Sequence, residues 1–233
     1  ALPALALPDV WKLPSVPLQP AQLPRLAQTP TLDGDLREWS EAARMRVGCA
    51  ADVLHPSSQH PWQGPDDLSM DVFLGWTDEG LAVAARVRDQ DVIATATDPA
   101  GFALQDSFEL LLDGRTGAEF QRPALGPGVL QLLFRAPNPA GESALYSRQG
   151  AEKVRIRHAA RRLPDGYTLE ALIPWSAFPG FEPRVGALLG AQFIVNDVDA
   201  RDAHSGWSRT MSGLGAHRLH ASPHRFLPWQ LVE

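Results

Sequence analysis

Ala103-Leu-Gln-Asp-Ser-Phe-Glu-Leu-Leu-Leu-Asp113 begins with an acidic approach and continues as an alternating run. Phe108, Leu110 and Leu112 share one face, while Ser107, Glu109, Leu111 and Asp113 share the other. A period of two is the signature of a β-strand with one face turned to a core. The outer face carries a carboxylate, Glu109, that packing alone does not require.

The same rhythm spreads outward from this strand. Upstream, Met70, Val72, Leu74 and Trp76 share a face, Asp78-Glu79-Gly80 turns the chain, and Leu81 to Val87 returns. Two alternating runs around a short Gly-containing turn predict a hairpin. Downstream, strands are expected over Val129 to Arg135, Val154 to His158, Tyr167 to Ile173 and Gly190 to Asp197, with a turn at Pro164-Asp165-Gly166. Helix is expected only briefly, at Pro174 to Phe178 and where Asp35 caps a turn that carries Leu36 and Trp39 inward. Many short strands between turns predict an all-β fold, a two-sheet antiparallel sandwich of immunoglobulin-like type.

Residues 1–30 read as a separate piece. They carry Pro3, Pro8, Pro14, Pro17, Pro20, Pro24 and Pro30, so they should be extended, as a linker or a surface strap. Residues 31–233 are the expected sandwich. A chain that starts at Ala1 in such a stretch reads as a processed secreted protein or a piece of a longer one.

The net charge of −6 argues against a nucleic-acid partner, which needs clustered positive charge. No apolar run approaches the roughly 18 residues of a membrane span. Cys49 is alone, so no internal disulfide forms. No nucleophile elbow, phosphate-binding loop or zinc signature is present, so no enzyme activity is read from the chain.

The ordered set Leu32-Asp33-Gly34 to Trp39, Val72 to Trp76, Asp106-Ser-Phe-Glu109, Tyr167 to Trp175 and Gly190 to Asp199 resembles the family 9 carbohydrate-binding modules. The resemblance implies a DOMON-like sandwich, secreted or periplasmic, that binds carbohydrate without catalysis beside a carbohydrate-active catalytic domain. Well-understood members grip the reducing end of a sugar chain between two Trp rings. Here those positions hold Ala103, beside Phe102, and His220. The motif Glu is kept as Glu109. A family Gln corresponds to Ile194, with Gln192 two residues away on the same face.

Candidate sugar contacts are therefore Glu109, Phe102, Trp62, Trp207 and His220, the two Trp residues being placed in loops. The bland alternatives are core or loop packing for the rings and a cross-strand Arg partner for Glu109. Asp197 and Asp199, with Asp89 and Asp106 at other strand ends, are candidate ligands for the structural calcium that the resemblance implies; ordinary turn chemistry is the alternative. Arg155, Arg157, Arg161 and Arg162 form a basic stripe read as the wet face of an edge strand. Two other functions stay open at this point. One is a purely structural accessory domain. The other is a haem-binding electron-transfer domain using Met70 or Met211.

Overall fold

A computed structural model describes residues 19–53, 61–151, 154–199, 209–212 and 223–233. The strands are β1 (Ala21–Leu23), β2 (Ala43–Val47), β3 (Leu68–Trp76), β4 (Gly80–Asp89), β5 (Ser107–Asp113) and β6 (Val129–Arg135). They continue with β7 (Ala144–Gln149), β8 (Arg157–Leu163), β9 (Gly166–Pro174), β10 (Leu188–Asp197), β11 (Arg209–Ser212) and β12 (Leu227–Leu231). One sheet runs β1-β12-β10-β5-β6-β7, with β11 pairing β10; the other runs β2-β3-β4-β9-β8. The expected all-β sandwich is present.

Alternation explains how the sheets face each other. Phe108, Leu110 and Leu112 of β5 meet Leu132, Phe134, Phe193 and Val195 from its neighbours in one core. Val72, Leu74, Val83, Ala85, Leu169 and Ala171 of the five-stranded sheet close that core from the other side. Phe108 lies 6.2 Å from Phe134 and 6.4 Å from Phe193 between ring centroids. Each such side chain contributes about 1.5–3 kcal/mol when buried, so the alternation itself drives the sheets together.

The sheets are antiparallel apart from one pair. β1 runs parallel to β12, with Ala21 opposite Trp229 and Leu23 opposite Leu231. Pro20 and Pro24 bracket β1, which confines it to a short strand at the sheet edge. Beyond it, the amides of Leu26 and Trp76 donate to the carbonyls of Trp76 and Pro24, both at 2.9 Å. Trp76 is 3% exposed, and its indole donates to the Val232 carbonyl at 2.8 Å. This part of the Pro-rich segment is thus stitched to both sheets.

The expected strand at Val154 to His158 is displaced; the chain pairs as β8 from Arg157 to Leu163. The cause is the two-residue turn Pro164-Asp165, which sets Leu163 opposite Gly166 and fixes the register backward from there. Of the basic stripe, Arg157 and Arg161 face out from β8, which is an edge strand. Arg162 reaches the other way, to the carbonyls of Val92 at 2.9 Å and Pro137 at 3.3 Å. Met70 is 1% exposed and belongs to the core, so its thioether is not open to a haem.

The short turns fall as expected. Asp35 caps the 3-10 turn Leu36–Trp39 by accepting from the Arg37 amide, and Trp39 is 1% exposed. Among the described residues no helix is long and apolar enough to cross a membrane.

Candidate functional site

β5 sits between β10 and β6, so its outer side chains are flanked on both sides. Glu109 lies opposite Ile194 on β10 and Leu133 on β6, neither of which can satisfy a carboxylate. Its partners stand instead two residues along each neighbouring strand, on the same face. Asn196 donates through Nδ2 to Oε1 at 3.0 Å, and Gln131 donates through Nε2 to Oε2 at 3.5 Å. Asn196 also reaches the Ser107 hydroxyl at 3.1 Å. The alternative of a cross-strand Arg partner is not met: among the described residues no cation lies within salt-bridge distance of Glu109, and amides stand at the diagonal positions.

This outer face is therefore a polar ladder with an apolar edge. Leu111, Val129, Ile194 and Phe226 form a small cluster beside it. Gln192 lies opposite Leu111 on the same face. Glu109, Gln131 and Asn196 are buried, at 6%, 8% and 5% exposure. A carboxylate and amides beside a strip of aliphatic and aromatic carbon match the mixed polar and apolar surface of a sugar.

The ring candidates fare differently. Phe102 is 3% exposed, with the Arg135 guanidinium 5.6 Å from its ring centroid, so it is no open platform. Trp62 is half-buried against the core, and its indole donates to the Leu68 carbonyl at 2.9 Å, which ties down its loop. Trp207 and His220 lie outside the described residues.

A second group of acids gathers where both sheets end. Asp89 closes β4, Asp106 immediately precedes β5 and Asp197 closes β10. Oxygens of these three buried carboxylates lie within 4.8 Å of one another. Asp106 is held by backbone: Val198 donates to Oδ1 at 2.8 Å and Ile93 donates to Oδ2. Burial and the nearby carboxylates of Asp89 and Asp197 push its pKa well above the ordinary carboxylate range. The same two causes raise the buried Tyr167 phenol, which has the three acids as its charged neighbours. Ligands of one calcium at about 2.3–2.6 Å must lie within about 5 Å of each other, so the three acids fit the ion. Asp199, also a candidate, is buried at 3% but is not one of this mutually close trio.

A hollow of about 510 Å³ at the opposite end of β5 is lined by Arg115 and Phe120, but it lies away from both groups. There Arg115 is spent on Asp113 and on the carbonyls of Arg122 and Ala124.

Residues 39–216 match the family described as carbohydrate family 9 binding domain-like. The chain belongs to that family. As a family 9 module it is a non-catalytic carbohydrate-binding domain. Its fold is similar to that of a family 9 module from Caldicellulosiruptor kristjanssonii solved with cellotriose, at 22% identity and a TM-score of 0.66. That match covers 91% of this chain and 92% of the other. A structure described as a family 9 module from the same organism, with glucose, matches with a TM-score of 0.65 at 22% identity, covering 91% and 95%. No curated protein matches the chain.

Proposed function

We propose that the module binds a neutral glucose-type oligosaccharide on the outer face of the seven-stranded sheet, with Glu109 as the central acceptor. The Gln131–Glu109–Asn196 ladder is the observation that carries this reading. A carboxylate offers about four acceptor positions, and two amides occupy only part of them. The Gln131 contact, at 3.5 Å, is at the loose limit of a hydrogen bond, so a sugar hydroxyl can replace it at little cost. The solved relatives held cellotriose and glucose.

Titration calorimetry with cellotriose tests the assignment. The wild type should bind, and Glu109→Ala should weaken binding at least about tenfold, the scale of one lost charge-assisted hydrogen bond. Equal affinity in both proteins would move the sugar elsewhere.

We also propose that calcium sits between Asp89, Asp106 and Asp197. There it would offset three buried negative charges and tie the end of β4 to the ends of β5 and β10. A site with so few protein carboxylates suits the calcium levels met by extracellular modules, about 10⁻⁴–10⁻³ M. That supports placing the protein outside the cytoplasm, secreted or periplasmic, as an accessory to a carbohydrate-active catalytic domain.

A further inference from the structure

The outer face of the five-stranded sheet carries an arginine cluster that the Glu109 site does not use. Arg44 of β2, Arg86 of β4 and Arg161 of β8 surround Phe73 of β3, and Arg37 closes one side from the turn after Asp35. They line a cleft of about 400 Å³ in which the carboxylates are Asp35 and Asp71. With Asp165, which pairs with Arg86, four guanidinium groups meet three carboxylates, which leaves a local excess of one positive charge on a chain whose net charge is −6. An anion is repelled by the molecule as a whole and attracted here.

Two of the cations are held only by exposed pairs. Arg37 pairs with Asp35 at 2.6 Å, Arg44 with Asp71 at 2.9 Å and Arg86 with Asp165 at 2.6 Å. The Arg37 and Arg44 side chains are 90% and 56% exposed. The exposed Arg37 and Arg44 pairs are worth about 0–1 kcal/mol, so a ligand carboxylate can displace them, whereas Arg86 is held further by the carbonyls of Val87 and Asp165. Among the described residues Arg161 has no carboxylate within 4 Å. Its stem is nevertheless fixed. Gly34, at φ +83°, lies so close that a Cβ there would come within 2.5 Å of the Arg161 Cβ. The loop thereby fixes where the exposed Arg161 side chain starts, at the rim of the cleft.

We infer that this cleft is a second ligand site and that it takes an acidic saccharide, a pyranose bearing a carboxylate. The guanidinium fork matches a carboxylate bidentately, and Arg161 supplies it. The rest of a sugar ring needs an apolar floor, and the half-buried Phe73, flanked by Leu36 and Leu163, supplies that once the Arg44 guanidinium, 5.8 Å from its ring centroid, swings aside. An acidic peptide would use the charge and leave the floor unused.

Calorimetry at low ionic strength with trigalacturonate, cellotriose and a triglutamate peptide tests the proposal. Trigalacturonate should bind the wild type, weaken about tenfold in Arg161→Gln, weaken further with added salt, and be unchanged in Glu109→Ala. Cellotriose should show the reverse dependence on the two variants. Because Arg161 is exposed, its replacement leaves the fold intact, which a coincident melting curve would verify. No trigalacturonate binding by the wild type would overturn the inference. Equal affinity for triglutamate would overturn the saccharide assignment, and loss in Glu109→Ala would overturn the location.

Discussion

Glu109 and Glu170 occupy matching places, each on the outer face of an inner strand of its sheet, yet they are satisfied in different ways. Glu170 of β9 accepts from the amides of Asp33 and Gly34 at 2.9 and 2.5 Å and from the Trp39 indole at 2.8 Å. All three donors come from a loop that folds over the sheet. Among the described residues Glu109 accepts only from side-chain amides, on strands that its own sheet already holds in place. An acceptor filled by another element's backbone fastens that element down. One filled by amides of its own sheet fastens nothing new, and its partners can be exchanged. Glu170 therefore belongs to the fold, and Glu109 is the one proposed for the ligand.

The sharpest way to break this comparison is to remove each carboxylate and measure stability. Glu170→Ala leaves three donors without an acceptor under Trp39 and should cost about 3–5 kcal/mol, or roughly 10 °C in Tm, by thermal denaturation. Glu109→Ala should cost only about 1 kcal/mol by the same measurement. Equal losses would remove the distinction.

An effect smaller than that of Glu170→Ala is expected from the acids at the sheet ends. Calcium at about a hundred times its Kd should stabilise the wild type by about 2.7 kcal/mol, raising Tm by roughly 5–10 °C. Asp106→Asn removes one of the three carboxylates and should abolish most of that rise while melting well without calcium. A calcium-induced rise of the same size in the variant would place the ion elsewhere, and none in the wild type would remove it.

Much of this was legible in the chain, and the rest was hidden for physical reasons. The alternation of Ser107 to Asp113 gave both the core face and the outward carboxylate, because side-chain parity is local. Gln131 as its partner was not legible, although Gln131 shares the outward parity of β6. Which residues stand diagonally across two strands depends on register, which is not a local property. The acids Asp89, Asp106 and Asp197 could each be read as strand-end carboxylates, but their meeting depends on both sheets ending at the same place. β2 was missed because Ala43-Arg-Met-Arg-Val47 alternates long cations with apolar residues, a short pattern that also suits a loop. The cleft around Phe73 inherits that gap, since Arg44 is placed there by β2.

The central claim is that Glu109 and its two amides are the sugar contacts. It is tested most directly by following the side-chain NH₂ resonances of Asn196 and Gln131 by NMR during titration with cellotriose. Both pairs should shift in proportion to saturation, with Gln131, at the looser contact, moving further. Saturation with both pairs unmoved would contradict it.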